Sequence, residues 1–79
     1  MKDFISLKNV KRVAYRENYS IVRLLVQYND NSQDFEHVYH YDEKKPSDVF
    51  KGECLKHQDM YIKIKNALIS KQDFVEVEL

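Results

Sequence analysis

Glycine and proline each occur once in this 79-residue chain, and tryptophan is absent. With one glycine, the chain cannot form the glycine-rich loop that cradles phosphates in nucleotide-binding enzymes. It also has little of the backbone freedom from which an oxyanion hole is built. No repeat or low-complexity segment is present. Lysine, aspartate, asparagine, isoleucine and tyrosine are plentiful, a usage typical of an AT-rich genome, so we expect a bacterial or phage source.

Cysteine also occurs only once, at Cys54, which excludes an internal disulfide. The sequence shows no secretory signal and no apolar run long enough to span a bilayer. We therefore expect a cytoplasmic protein that does not bind membranes.

The chain also has no formal net charge at neutral pH. Thirteen basic residues balance thirteen acidic ones, and the isoelectric point is near 6.8. Residues 1–28 nevertheless carry six basic against two acidic side chains, and the remainder carries seven against eleven. The chain thus has no overall field that would draw it to DNA, but its N-terminal part is locally basic.

Apolar residues make up 43% of the chain and charged residues 33%, which is typical of a globular protein. At this length we expect a single small domain spanning residues 1–79.

Alternating apolar residues predict a sheet. The clearest strand is YSIVRLLVQY, residues 19–28, in which both faces are largely apolar, as in a central strand. NDNS, residues 29–32, is typical of a turn, and QDFEHVYHY, residues 33–41, alternates cleanly enough to complete a hairpin. NVKRVAYRE, residues 9–17, predicts a preceding strand. The first residues leave two alternatives, because residues 3–10 could form a strand, which we favour, or a short helix capped by Asp3.

The second half of the chain predicts a helix and a last strand. After Pro46, a helix is expected from Glu53 to about Ser70, and FVEVEL, residues 74–79, alternates again. One helical stripe should face the sheet: His57, Met60, Tyr61, Ile64, Ala67 and Leu68. The expected fold is α+β, a small antiparallel sheet in the order β-β-β-α-β with one helix packed across one face.

The histidines and the cysteine are the candidate metal ligands and catalytic groups. His37 and His40 lie three residues apart in a predicted strand and should point to opposite faces, so they cannot share one ion. Cys54 and His57 lie three apart on a helix, but zinc requires three or four protein ligands, and a Cys–His nucleophile also needs an orienting partner. We therefore expect no metal, no cofactor, no catalytic residues and no enzymatic activity.

The basic N-terminal strands suggest a nucleic-acid-binding module, in which arginines contact phosphates while tyrosines stack on bases. The alternative is an ordinary charged sheet face whose tyrosines are core residues. The candidate residues for nucleic-acid binding are Lys11, Arg12, Arg16, Arg23, Tyr15 and Tyr19.

A second apolar stripe lies on the predicted helix opposite its sheet-facing side. Leu55, Ile62 and Ile69 recur every seven residues, and an exposed stripe of this kind usually marks an interface. Either residues 4–10 or the segment around Val49 and Phe50 could instead cover it.

Taken together, these patterns favour a small non-enzymatic binding or regulatory module that contacts an unknown protein partner, or a second copy in a homodimer. An inhibitor-type protein with an acidic binding face is one form this could take. Nucleic-acid binding is the first alternative, and a metal or Cys–His enzyme is the second.

Overall fold

A computed structural model describes residues 2–78 of the chain. Five strands and one helix follow one another in the order β-β-β-β-α-β. Their bounds are β1 Lys2–Ser6, β2 Val10–Glu17, β3 Ile21–Tyr28, β4 Phe35–His40, α1 Ser47–Ile69 and β5 Phe74–Glu78. The α+β class and the helix across an antiparallel sheet are confirmed.

The strands form two antiparallel sheets instead of the one expected. β3 lies between β2 and β4, and β1 pairs separately with β5. The strand we favoured near the N-terminus is present, and it ends at Ser6. Its partner is the last strand of the chain, with Ile5 opposite Val75, so the two ends of the sequence meet in one sheet.

Asparagines form the turns that link these strands. Asn9 and Asn31 both have a positive φ, of 63° and 64°, a backbone conformation that asparagine tolerates better than most residues. The Asn29 N–H donates to the Asn9 carbonyl at 2.8 Å, and the Ser32 N–H donates to the Asp30 carboxylate at 3.1 Å. The turn predicted at residues 29–32 is therefore confirmed.

The helix begins at Ser47, six residues earlier than predicted. Pro46 precedes it, with a φ of −57° that suits a helix start, and Asp48 in the first turn interacts favourably with the helix dipole. At the other end, the Lys71 and Gln72 N–H groups donate to the Leu68 and Ala67 carbonyls. This is the closing pattern in which glycine usually occupies the position taken here by Lys71, whose φ is 56°.

The predicted sheet-facing stripe of α1 is buried at four of its six positions, and Tyr61 and Leu68 are partly buried. His57 and Ile64 have no exposed surface, and Met60 and Ala67 are 4% exposed. Met60, Ile64 and Ala67 pack with Leu24 and Val26 of β3 and with Val75 and Val77 of β5 in one apolar core. The helix thus packs against both sheets.

The three-stranded sheet has two different faces. The helix face carries Val22, Leu24 and Val26, which are fully buried. The other face, here called the open face, carries the alternate residues and their cross-strand partners. Its members are Arg12, Ala14, Arg16, Ile21, Arg23, Leu25, Gln27, Glu36, Val38 and His40.

Candidate functional site

The second apolar stripe of α1 is exposed. Leu55, Ile62 and Ile69 are 62%, 55% and 76% exposed. The two segments that could have covered them lie elsewhere, since β1 pairs with β5 and Val49 and Phe50 belong to the first turn of α1. The stripe is therefore a surface of the isolated chain and does not belong to its core.

Two grooves flank this stripe and share Leu55. One, of about 470 Å³, lies between α1 and β5 and is lined by Gly52, Met60 and Val77 among others. The second, of about 540 Å³, lies beside the β2–β3 turn and includes Tyr19 and Phe50. Tyr19 is 92% exposed at the rim of this second groove. The stripe thus continues into apolar concavities on both sides of Leu55.

A hydrogen-bonded carboxylate lies at the wall of the second groove. Glu17 accepts a hydrogen bond from the Tyr15 hydroxyl at 2.6 Å and from the Gln58 amide at 3.3 Å. The Tyr15 bond, followed by a bond from the Cys54 thiol, lowers the pKa of Glu17. Burial, with a smaller contribution from Glu17, raises the pKa of Tyr15 to about 12. The carboxylate therefore remains charged at neutral pH.

Two histidines meet in the core beneath β4. His37 Nδ1 lies 2.7 Å from His57 Nε2, and His57 Nδ1 lies 2.6 Å from the Glu53 carbonyl oxygen. A carbonyl can only accept, so His57 donates from Nδ1, and in a neutral His57 ring the Nε2 lone pair accepts from His37 Nδ1. Burial, then the proximity of His57, lowers the pKa of His37.

The register of β4 shows in which directions the candidate metal ligands His37 and His40 point. His37 lies opposite Leu24 on the helix face, whereas His40 lies opposite Ile21 on the open face, so the predicted divergence of these two histidines is confirmed. Among residues 2–78, no group of three or more His, Cys, Asp or Glu side chains is placed to hold a metal ion. A metal-free protein remains a prediction.

Cys54 does not pair with His57. The thiol is buried, donates to Glu17, and has its pKa raised by burial and then by that hydrogen bond. Both ring nitrogens of His57 already have other partners. The helix spacing of Cys54 and His57 therefore does not produce an activated thiolate.

The candidate residues for nucleic-acid binding do not lie on one sheet face. Arg12, Arg16 and Arg23 lie together on the open face, around a concavity of about 180 Å³. Tyr15 does not join them as a stacking ring, because its ring lies 5.9 Å from that of Tyr61 on α1.

The other two nucleic-acid candidates also lie apart from these arginines. Tyr19 belongs to the turn beside the second groove, and Lys11 lies at the register shift in β2, outside the concavity. Tyr15 partly fits the alternative of a packed tyrosine, because its ring contacts Tyr61, which itself packs against the core. The arginines and these two tyrosines therefore do not share one face, since side chains of adjacent residues in a strand point in opposite directions. Nucleic-acid binding remains a prediction.

The sequence carries a signal for the histidine pair. His37 lies in the alternating strand predicted at residues 33–41, and His57 belongs to the predicted sheet-facing stripe of α1. Those two assignments together put both rings in the layer between helix and sheet. The axial alignment of helix and strand, which the sequence does not specify, decides whether the rings touch.

Comparison with known proteins identifies no relative. No family model matches the chain, and neither a curated protein nor a solved structure matches it. Within the described residues, no helix combines the length and apolarity needed to cross a membrane.

Proposed function

We propose that this protein is a non-enzymatic regulatory module that binds another protein through the outer face of α1. Its contact surface is the stripe of Leu55, Ile62 and Ile69 together with the two grooves that share Leu55. The observation that carries the proposal is the exposure of all three stripe residues, each more than half accessible. We further propose a cytoplasmic setting, with which the free, buried thiol of Cys54 is compatible.

The size of the stripe limits the kind of complex. Full burial of a leucine or isoleucine side chain contributes about 1.5–3 kcal/mol, and these three are already partly covered, so together they contribute about 3–5 kcal/mol. Association costs at least about 4 kcal/mol in lost freedom of motion. The stripe alone therefore supports only weak binding, and a specific partner must also fill the flanking grooves.

Charges beside the stripe favour one orientation of a partner helix over the reverse orientation. Asp59 precedes Ile62 by three residues and Lys65 follows it by three, so they lie about 60° to either side of it around the helix. Both are exposed. A partner helix with the complementary arrangement is favoured over the same helix reversed, because like charges at a rim oppose docking. In a homodimer, this arrangement favours helices that run parallel.

Substitution of Ile62 by glutamate tests the proposal. The Ile62→Glu variant should fold, because Ile62 packs outside the core, and it should lose the interaction because a buried charge at an apolar contact is costly. Sedimentation equilibrium of both proteins measures self-association. Affinity capture from the source cell with quantitative mass spectrometry compares their heterologous partners.

Two controls make the comparison specific. Lys8→Glu introduces a larger charge change at an exposed residue of the β1–β2 turn, outside the stripe and both grooves, and should retain binding. Ile64→Glu, at a position with no exposed surface, should unfold the chain by circular dichroism. If Ile62→Glu changes neither the sedimenting mass nor the captured proteins, the outer face of α1 is not the binding surface. Unfolding of Ile62→Glu would equally contradict the proposal.

A further inference from the structure

A second concave surface lies on the open face of the three-stranded sheet, away from α1. Its floor is Ala14 of β2 and Leu25 of β3, which are directly opposite each other across the two strands. The small Ala14 side chain leaves a depression of about 180 Å³. Arg12, Arg16 and Arg23 surround it, so the concavity has an apolar floor and guanidinium walls.

The charges around this concavity are not balanced within the chain. Arg16 is directly opposite Arg23, and like charges in that position destabilise a sheet. Within the described part of the chain, only Arg23 of these three has an acidic partner, Glu36 of β4, at 2.5 Å. Arg12 donates to the neutral side chain of Gln27. Among residues 2–78, about two positive charges at this site therefore lack a carboxylate within ion-pair distance.

Arg23 also carries a polar group without a partner. Its Nε–H is buried and has no hydrogen-bond acceptor among the described residues. A buried donor of this kind is uncommon in folded proteins and requires an explanation. An oxyanion in the concavity would compensate the charge of the neighbouring guanidinium groups, and a turn of the Arg23 side chain, which is 43% exposed, would bring this Nε–H to it.

We propose that the concavity of Arg12, Arg16 and Arg23 is a binding site for the phosphate group of a small phosphorylated molecule. A phosphate monoester carries a charge of about −1.5 to −2 and three strong acceptor oxygens at neutral pH. It therefore matches about two uncompensated guanidinium groups, whose planar forks bind phosphate oxygens in pairs. A carboxylate, with one charge and two oxygens, leaves part of this donor set unused.

The shape of the site favours a small molecule over a nucleic acid. Single-stranded nucleic acids are held by aromatic rings as well as cations, and no aromatic ring of the described chain faces this concavity. Tyr15 contributes to its lining, but the Tyr15 ring lies on the other side of the sheet against Tyr61. The volume of about 180 Å³ holds one phosphate and a short organic substituent.

Titration of the full chain with inorganic phosphate and with glycerol 3-phosphate, followed by NMR of backbone amides, tests the site. Ionic strength is held constant with sodium chloride, and acetate serves as the carboxylate comparison. We expect saturable shifts confined to amides of β2 and β3 near Ala14 and Leu25, with tighter binding of glycerol 3-phosphate than of acetate. Equal affinity for acetate, or shifts that do not saturate, would overturn the proposal.

Substitutions at Arg16 separate binding from folding. Arg16→Gln should weaken phosphate binding about tenfold or more, because it removes a charge-assisted hydrogen bond. Arg16→Lys retains the charge but loses the planar fork, and it should have an intermediate affinity. Lys63→Gln, on the far side of α1, should bind as the wild type does, and thermal unfolding should show all three variants to be folded.

A single-stranded oligonucleotide provides the competing outcome. If it binds through these arginines while glycerol 3-phosphate does not, the site belongs to a nucleic-acid interface and the small-molecule proposal is wrong. Unchanged phosphate affinity in Arg16→Gln would have the same consequence.

Discussion

At the scale of single residues, the most unusual feature is a fully buried histidine in an otherwise apolar core. His57 donates to its own helix at the Glu53 carbonyl and accepts from His37. When His57 is neutral, its Nε2 lone pair accepts from the His37 Nδ1–H, and each ring nitrogen of the contact has one partner. The pair therefore joins α1 to β4 through a hydrogen bond between their side chains.

The first prediction concerns the pH dependence of stability. Burial and then His57 lower the pKa of His37, with Lys56 acting in the same direction and Glu53 opposing it. The unfolded chain then binds more protons than the folded chain just below the ordinary His pKa of 6.5. The contribution is fully present above that value, and stability should fall as the pH drops through 6.5 and below it. Urea unfolding on both sides of this pH measures the loss.

Two variants isolate His37 as the origin of that dependence. His37→Gln keeps a side-chain N–H that can donate to His57 but does not titrate, so its stability should depend less on pH than the wild type's does. His40→Gln removes an exposed histidine on the opposite face and should preserve the wild-type profile. If His37→Gln and wild type lose stability in parallel, another group is responsible.

At the scale of elements, α1 contains the only glycine of the chain. Gly52 lies in the second turn of this 23-residue helix, and a Cβ built on it would meet nothing within 4 Å. Glycine inside a helix costs about 0.5–1 kcal/mol relative to alanine, because it loses more backbone freedom on folding. Neither a tight turn nor a positive φ requires a glycine here.

We therefore predict that Gly52→Ala stabilises the protein by about 0.5–1 kcal/mol. For a domain of this size, each 1 kcal/mol raises the melting temperature by roughly 4–8 °C. Differential scanning calorimetry measures the shift. Lys51→Ala, at the neighbouring exposed position, should change stability by only a few tenths of a kcal/mol. A destabilised Gly52→Ala would mean that the open space beside this residue is not available to a methyl group. Because Gly52 lines the groove beside Leu55, the same variant also reports on partner binding there.

At the scale of the whole molecule, two separate sheets are held together by one helix and a few direct contacts. Ile5, Val75 and Val77 of the smaller sheet share a core with Leu24 and Val26 of the larger one, through α1. The Tyr28 hydroxyl also donates to the Ser6 carbonyl at 2.7 Å. This hydrogen bond joins the end of β3 directly to the end of β1.

Removal of that bond should weaken the connection between the sheets. We predict that Tyr28→Phe loses about 1 kcal/mol of unfolding free energy, because a partly buried carbonyl then lacks its donor. Tyr19→Phe, at a residue that is 92% exposed, should be neutral. Chemical denaturation followed by circular dichroism compares them, and a Tyr28→Phe variant as stable as wild type would show that the core alone joins the two sheets.

Local patterns in the sequence were sufficient for most individual elements. The alternation of apolar residues placed β3 and β4 within two residues of their observed bounds, and Asn-rich turns marked the hairpin. The helical period identified both the buried stripe of α1 and the exposed stripe at Leu55, Ile62 and Ile69. These features depend on residues a few positions apart, whose relative directions are set by the backbone of the element itself.

Tertiary structure decided which distant segments of the chain contact one another. The sequence does not indicate that β1 should pair with β5 at the other end of the chain, since that contact depends on loop closure and on the packing of α1 against the sheet that they form. The periodic residues of α1 predict a later start than the observed one, because tertiary packing extends a helix beyond its periodic residues, as ring contacts of Phe50 with Tyr39 and Tyr41 do here.

Tertiary structure also decided how the residues of the candidate sites are arranged. The sequence determined that arginines occur in β2 and β3, but cross-strand register alone brought Arg16 opposite Arg23 around Ala14 and turned the Tyr15 ring to the other face.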